Sequence, residues 1–189
     1  MPYINIEAHL PGVTGLLEFR KDTSGPLREL TQILLRGHST LSEAERELIA
    51  TVVSSKNECV YCTTSHTAAA DAYLGENETS KKVKENIETA PVTDKMKALL
   101  NIALLVGGNG KNVSPEAIQK AKDNNASDME IHDTVMIAAL FCFYNRYVDG
   151  LGTYAPTDPV YYSDMALRLK EKGYYRPKDG YEELKNKQL

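Results

Sequence analysis

The amino-acid sequence predicts an all-α fold, a bundle of seven or eight helices in a single domain. Apolar residues recur at intervals of three and four along most of the chain, which is the spacing of an amphipathic helix. Serine, threonine and aspartate stand before several of these stretches and glycine after them, as at helix starts and ends. No alternating apolar and polar run flanked by hairpin turns indicates a β-sheet. With 189 residues, 42% of them hydrophobic, the chain can bury one sizeable core.

The first predicted elements are an N-terminal arm and two helices. Residues 1–25 are expected to form an extended or loop-rich arm, because they contain the glycine and proline residues typical of turns. The first helix is predicted over 27–36. Ser42 and Glu45 form a capping box that opens the next helix.

The later helices are placed by caps and breaks in the same way. They are expected over 58–73 with Asn57 as the cap, over 80–89, over 94–106 after Thr93, from Ser114-Pro115, over 131–148 after Ser127, and over 159–172 after Asp158. A helical domain is therefore predicted over 26–173, followed by a polar, lysine-rich tail over 174–189. Most of the eleven tyrosines lie at Tyr144 or later, which suits either a subunit interface or a half-buried helix surface.

Charge and composition exclude several classes of function. The formal net charge is −4, so neither nucleic acid nor an anionic membrane surface is an expected partner. No apolar run approaches the roughly 20 residues needed to span a bilayer. The amino terminus lacks the basic and apolar regions of a signal peptide. The protein is therefore expected in the reducing cytoplasm, where a C-x-x-C pair is typically catalytic or metal-binding rather than a structural disulfide.

The sequence concentrates its chemistry between Cys59 and His66. Cys59 and Cys62 form a C-x-x-C pair, and two thiols at this spacing can form a small, reversible disulfide. On a helix that turns by about 100° per residue, Cys59, Cys62 and His66 lie within about 60° of each other. A helix N-terminus and a nearby acid–base group both favour the reactive thiolate, and Glu47 supplies a carboxylate twelve residues before Cys59. This face predicts thiol redox chemistry.

Spacing alone leaves other interpretations of these residues open. A zinc site would use both cysteines and the histidine, although no second C-x-x-C or H-x-x-x-H completes it. Its fourth ligand would be Glu47, Cys142 or His38. A pair of buried core cysteines is disfavoured by the polar residues between Cys62 and His66. Glu47 stands among other acids near a helix start, where a solvated glutamate that interacts with the helix dipole is the simpler interpretation.

The combined pattern resembles the motif of AhpD-like alkylhydroperoxidases, in the peroxidase-related branch of the carboxymuconolactone decarboxylase superfamily. The order and spacing of the glutamate, the two cysteines and the histidine are similar to those of that family. The lead-in over 41–47 and the segment 143–152, with the pattern F-x-N-R-x-x-D-x-L-G, are similar too. The resemblance covers about residues 25–170 and favours a functional Glu47 over a solvated one.

The resemblance implies an AhpD-like helical bundle that assembles as a homo-oligomer, either a dimer, a trimer or a hexamer. The implied activity is thiol-dependent reduction of hydroperoxides, with electrons from a dithiol donor and no metal or organic cofactor. Cys62 would be the peroxidatic cysteine and Cys59 the resolving one, while Glu47 and His66 would form a proton relay. Well-studied members carry a histidine immediately before the second cysteine. This chain has Tyr61 there, a hydrogen-bond donor but a weak base near neutral pH.

Two alternative functions and three further residues complete the prediction. A general thiol–disulfide oxidoreductase, or a non-catalytic or zinc-stabilised helical interaction module, would use the same residues differently. Cys142 lies in the apolar run 138–143 and is expected to be a core residue. Asn145 and Arg146 are expected to tie helices together rather than to line the site.

Overall fold

The computed structural model describes residues 2–176 and 181, and these residues confirm the all-α fold. They contain nine α-helices, two short 3-10 helices and no strand. The α-helices are α1 (Val13–Phe19), α2 (Lys21–Arg36), α3 (Glu43–Lys56), α4 (Val60–Leu74), α5 (Glu78–Glu85), α6 (Asp94–Gly108), α7 (Pro115–Asp123), α8 (Asp128–Gly150) and α9 (Pro159–Lys172). The 3-10 helices are Ile87–Thr89 and Gly110–Asn112.

Most helix starts are set by the capping residues that the sequence indicates. Ser42 and Ser127 each form a complete capping box with the glutamate three residues on, which satisfies two backbone N–H groups at the helix start. The side chains of Thr93, Ser114 and Asp158 each accept a hydrogen bond from a backbone N–H in the first turn of α6, α7 and α9. These local interactions explain why five helices begin where the sequence predicts.

The N-terminal region differs from the predicted loop-rich arm, because much of it is helical. α1 forms within it, and α2 begins at Lys21 rather than at residue 27. Pro26 does not break α2, since it lies in the second turn, where its missing N–H removes a single helical hydrogen bond. α1 is stabilised by contacts with α2 and α8 rather than by its own sequence.

The predicted division into an arm (1–25), a helical domain (26–173) and a tail (174–189) stays a prediction. Of the tail, the structure describes residues 174–176 and 181, and the remainder lies outside the described residues.

The start of α4 also differs from the prediction. Asn57 ends α3 instead of capping α4, and Cys59 is the residue that precedes the first turn of α4. Glu58 lies between them with a φ of 59°, a left-handed conformation that is uncommon for residues other than glycine. The chain therefore changes direction within two residues, and this turn places the C-x-x-C pair at the beginning of α4.

The core is built around α3, which packs against α4, α6 and α8. All residues from Arg46 to Ser54 are buried, so α3 has no solvated face over most of its length. α4 contacts α9 in addition to α3. The candidate site residues of α4 are therefore enclosed by helices on more than one side.

Gly12 determines how closely the N-terminal segment approaches α4. Its φ of 54° and ψ of −136° are readily adopted only by glycine. A Cβ at this position would lie 2.3 Å from the ring of Tyr61, far closer than non-bonded carbon atoms approach. The N–H of Gly12 donates to the carbonyl of Tyr154 at 3.0 Å, which fixes the segment in place.

Gly12→Ala should lower the free energy of unfolding by about 1–3 kcal/mol, because both the backbone conformation and the Tyr61 ring oppose a methyl group. Gly75→Ala is the matched control. Gly75 has a φ of 75°, but no atom lies within 4 Å of a Cβ there, so only backbone strain of about 1 kcal/mol is expected. Urea unfolding measures both values. If Gly12→Ala and Gly75→Ala lower the free energy of unfolding equally, the Tyr61 ring does not constrain Gly12.

Candidate active site

α3 and α4 bring together the four residues of the Glu/Cys/Cys/His pattern. Glu47 lies in the second turn of α3 and is fully buried. Cys59 precedes the first residue of α4, Cys62 is the third residue of that helix, and His66 follows one turn later. Because α3 packs along α4, the side chain of Glu47 reaches His66 directly.

Three groups bind the Glu47 carboxylate. Nδ1 of His66 donates to Oε2 at 2.7 Å, and the hydroxyl of Tyr174 donates to Oε1 at 2.8 Å. The guanidinium of Arg36 also donates to Oε1. Burial by itself would raise the pKa of Glu47, but His66, Arg36 and Tyr174 outweigh burial and lower the pKa to about 2. Glu47 is therefore a buried carboxylate, and its interpretation as a solvated helix-start residue is wrong.

Arg36, the last residue of α2, is enclosed between two aromatic rings. Its guanidinium carbon lies 4.7 Å from the centroid of the Tyr73 ring and 4.9 Å from that of Tyr174. These cation–π contacts and the Glu47 carboxylate compensate for the lost hydration of a side chain that is only 6% exposed. Sequence analysis did not identify Arg36, because it belongs to no motif and lies eleven residues before Glu47.

His66 is fixed in one tautomer by Glu47. A carboxylate oxygen only accepts hydrogen bonds, so Nδ1 carries a proton and Nε2 is the basic nitrogen of the neutral ring. The ring meets Phe141 edge-on, with centroids 4.3 Å apart, and lies nearly parallel to the Tyr174 ring at 6.4 Å. The imidazole is consequently an oriented base with little freedom to rotate.

Cys59 and Cys62 are free thiols that are almost completely buried, with 0% and 3% of their surfaces exposed. A hydrogen bond between the two thiols, together with burial, raises the pKa of Cys62 well above its ordinary value. The side-chain amide of Asn145 acts in the opposite direction. In the reduced protein the Cys62 thiol is therefore protonated near neutral pH, and a base must remove its proton before it can act as a nucleophile.

Asn145 of α8 is fully buried and both ties helices together and contacts Cys62. Its Oδ1 accepts from Nδ2 of Asn57 at 2.8 Å, and its own Nδ2 donates to Oγ of Ser54 at 3.1 Å. These two bonds fix the orientation of the amide, so an N–H faces the Cys62 thiol. The sequence predicted the structural role of Asn145 but not its contact with the cysteine.

Tyr61 stands where well-studied AhpD-like proteins carry a histidine, and it does not contact Glu47. Its hydroxyl lies 3.4 Å from that of Thr14 and 3.2 Å from that of Tyr161. Within residues 2–176 and 181, it forms no hydrogen bond with Glu47 or His66. Burial raises the pKa of Tyr61 well above its ordinary value, so the side chain stays a neutral hydroxyl.

Tyr174 is the tyrosine that bonds Glu47, and it reaches the site from the segment after α9. Gly173 precedes it with a φ of 64° and a ψ of −154°, a conformation essentially restricted to glycine. The N–H of Tyr174 donates to Oε1 of Gln32 at 2.7 Å. Burial and the charge of Glu47 raise the pKa of Tyr174 well above its ordinary value, which keeps its hydroxyl as a donor. The sequence placed this residue in a tail and gave no signal of its role.

A cavity of about 90 Å³ lies against these groups. Cys62, Ser65 and His66 line it from α4, Phe141 lines it from α8, and Tyr174 closes one side. The rest of the wall includes apolar side chains from α1 and α9 and the side chains of Arg28, Arg168 and Arg176. The volume is large enough for a few water molecules or a small organic molecule. A thiol and an oriented base therefore face the same enclosed space.

The residues considered as zinc ligands are not grouped as a metal site. Across the part of the chain that the structure describes, no three or more His, Cys, Asp or Glu side chains are arranged to hold a metal ion. Cys142 is half-buried against the core, with its sulfur 3.7 Å from Nδ2 of Asn57. Arg146 is exposed and donates to the carbonyl of Cys142 in its own helix, so this bond does not tie two helices together.

Comparisons with known proteins find a family model that matches part of the chain. Residues 26–90 match the model of the carboxymuconolactone decarboxylase family, and this segment contains the Glu/Cys/Cys/His pattern. A search of curated proteins found no match. No helix in the described part of the chain is long and apolar enough to cross a membrane.

Solved structures share the fold. One is the AhpD core of an uncharacterised peroxidase-related protein from Ralstonia eutropha JMP134, with a TM-score of 0.73 and 24% identity over 82% of this chain and 80% of that one. An uncharacterised peroxidase-related protein from Silicibacter sp. TM1040 has a TM-score of 0.73 and 24% identity, over 81% of this chain and 78% of that one. The debrominase Bmp8 has a TM-score of 0.70 and 17% identity, over 85% of this chain and 87% of that one. The predicted AhpD-like fold is confirmed.

Glu47→Gln should reduce the free energy of unfolding at pH 7 by about 3–5 kcal/mol, because it leaves the buried Arg36 charge without a counter-charge. The folded-state pKa of Glu47, about 2, lies below its unfolded value of 4.5. The stability that the carboxylate contributes is therefore complete above pH 4.5 and is lost as the pH falls towards 2. Urea unfolding from pH 7 to pH 2 should show the difference between wild type and variant shrinking across this window.

Glu43→Gln is the control for this measurement, since Glu43 is 44% exposed and its 3.8 Å contact is with Arg46, which keeps its hydrogen bonds to the carbonyls of Leu34 and Gly37. It should change the free energy of unfolding by less than about 1 kcal/mol. A difference between Glu47→Gln and wild type that does not vary with pH would contradict the assignment of a buried carboxylate.

Cys59→Ala should lower the pKa of Cys62, because it removes the thiol–thiol hydrogen bond that is the largest cause of the raised value. The rate of Cys62 alkylation by iodoacetamide, followed by mass spectrometry across alkaline pH, measures this pKa. Cys142→Ala is the matched control and should leave it unchanged. An unaltered Cys62 pKa in Cys59→Ala would show that burial alone protects the thiol.

Proposed function

We propose that the chain is an AhpD-like member of the carboxymuconolactone decarboxylase superfamily and that it reduces hydroperoxides with its C-x-x-C pair. The observation that carries the proposal is the hydrogen bond of 2.7 Å between Glu47 and His66 beside a cavity that Cys62 also lines. A nucleophile, a base and the group that orients the base are the parts required for nucleophilic catalysis.

The first step is removal of the Cys62 proton. The thiol is protonated at rest, and Nε2 of His66 is the basic nitrogen that accepts the proton, either directly or through a water molecule. Glu47 stabilises the imidazolium that results, because its carboxylate already binds Nδ1. The N-terminal end of α4 and the Asn145 amide stabilise the Cys62 thiolate.

The second step is attack on the peroxide. The Cys62 thiolate attacks the terminal oxygen of ROOH, an S–O bond forms and the O–O bond breaks. The electron pair of the O–O bond leaves with the RO⁻ group, which takes the proton from the His66 imidazolium and departs as the alcohol ROH. Cys62 is oxidised to a sulfenic acid, and His66 returns to its neutral form.

The third step is resolution by the neighbouring thiol. Cys59 interacts with Cys62 at the start of α4, so its sulfur is positioned to attack the sulfenic acid. The S–S bond forms, water leaves, and the pair becomes a disulfide. A dithiol donor then reduces this disulfide by thiol–disulfide exchange. The net reaction converts ROOH and a dithiol into ROH, water and a disulfide.

The proposed reaction does not require the histidine that other family members carry in place of Tyr61. Tyr61 bonds Thr14 and Tyr161, while Tyr174 provides an additional hydrogen bond to Glu47. A homo-oligomeric assembly and a cytoplasmic location belong to the same proposal. The general thiol–disulfide oxidoreductase is disfavoured, because it gives no role to the enclosed cavity beside Cys62 and His66. A non-catalytic module gives no reason for a buried base beside a thiol-lined cavity.

The purified protein should consume tert-butyl hydroperoxide catalytically with dithiothreitol as donor, and Cys62→Ser should abolish this activity. Without donor, Cys59→Ser should consume one hydroperoxide per chain and retain a sulfenic acid at Cys62, which dimedone labels for mass spectrometry. Cys142→Ser is the control and should react at the wild-type rate. The proposal is wrong if the wild type consumes no hydroperoxide, or if Cys62→Ser consumes it undiminished.

A further inference from the structure

Ser65 is a buried hydroxyl on the wall of the cavity to which the steps above assign no role. It lies three residues after Cys62 and immediately before His66, on the side of α4 that faces the cavity. The residue is only 4% exposed. Its position therefore adds a polar atom to the cavity wall that Cys62 and His66 also line, in a region from which solvent is largely excluded.

The Ser65 hydroxyl has no hydrogen-bond partner within residues 2–176 and 181. Hydroxyls inside a helix commonly donate to the carbonyl four residues earlier, and Thr64 does so on the same helix, to Val60 at 2.9 Å. Ser65 does not make the equivalent bond to Tyr61. Buried polar groups in folded proteins are almost always paired, so an unpaired one at a cavity wall indicates a partner that enters the cavity.

The other hydroxyls that line the cavity are already engaged. Tyr61, Tyr161 and Thr14 bond each other, and the hydroxyls of Thr31 and Tyr144 lie 2.7 Å apart. The remaining two lining hydroxyls bond Glu47 and Arg28. Among the lining residues that the structure describes, Ser65 is therefore the one whose hydroxyl has no hydrogen-bond partner.

We propose that Ser65 is a catalytic residue that donates a hydrogen bond to the departing oxygen of an alkyl hydroperoxide bound in this cavity. The inference rests on the proposed hydroperoxide reduction at Cys62. As the O–O bond breaks, negative charge develops on the alkoxide oxygen, and a donor in a solvent-poor site stabilises that charge strongly. The proton that the alkoxide finally takes comes from His66, so Ser65 keeps its own proton.

The remainder of the cavity wall fits the alkyl group of such a substrate. Leu17, Phe141, Met165 and Leu169 provide apolar surface in the same cavity. The volume of about 90 Å³ suits a compact organic group. Cys62, Ser65 and His66 would then contact the peroxide oxygens, and the apolar wall would contact the carbon chain.

Ser65→Ala tests the inference in the full-length protein with tert-butyl hydroperoxide and dithiothreitol. We expect kcat/KM to fall roughly 10- to 100-fold, the range for loss of a hydrogen bond to a charged group. The urea midpoint should stay the same or rise, because the variant removes a buried hydroxyl without a partner. The pH dependence of Cys62 alkylation should be unchanged. A residue with only a structural role would not combine slower turnover with equal or greater stability.

Thr64→Val is the matched control, since it removes the neighbouring hydroxyl that is already bonded within the helix. It should retain the wild-type kcat/KM. An unchanged kcat/KM in Ser65→Ala, with an active wild type, would overturn the role of Ser65 and leave the proposed function standing. A loss of stability in Ser65→Ala that parallels its loss of activity would also overturn that role. An inactive wild type would instead contradict the proposed function itself.

Discussion

The buried carboxylate of Glu47 is the constraint on which the rest of the structure depends. A fully buried charge is tolerated only when opposite charges and hydrogen-bond donors surround it. Arg36 arrives from the end of α2, His66 from α4 and Tyr174 from the segment after α9. The positions of α2, α3, α4 and the residues after α9 are therefore coupled, because each contributes to the same small cluster. Gly173 is needed for the same cluster, since its backbone conformation directs Tyr174 into it.

Different contacts control the proposed base, His66, and the proposed nucleophile, Cys62. Glu47 fixes the His66 tautomer without touching either thiol, whereas burial and the contact with Cys59 keep Cys62 protonated. In the proposed mechanism the nucleophile is thus inactive in the resting state and becomes reactive only when its proton is transferred. A buried, protonated thiol is also protected from adventitious oxidation, because susceptibility follows thiolate character and exposure. Only compounds that can enter the cavity would then react with Cys62.

The sequence predicts those features that depend on residues close together in the chain. The capping box of Ser42 and Glu45 spans three residues, and it places the start of α3 correctly. Local composition misjudges Glu47, since acidic neighbours are typical of a solvated helix start, whereas the family resemblance favoured a functional residue. Tyr174 lies 127 residues from Glu47, so no local pattern could connect them. The turn before α4 was misplaced because Glu58 adopts a left-handed conformation that its residue type disfavours.

The stoichiometry of a single turnover tests the central claim most directly. The reduced protein is mixed with one equivalent of tert-butyl hydroperoxide in the absence of any dithiol, and thiols, alcohol and disulfides are then measured. The account predicts that each hydroperoxide consumed yields one tert-butanol and removes two thiols, that the Cys59–Cys62 disulfide appears in peptide mass spectra, and that Cys142 stays reduced. Unreacted hydroperoxide with both thiols intact, or oxidation confined to Cys142, would contradict it.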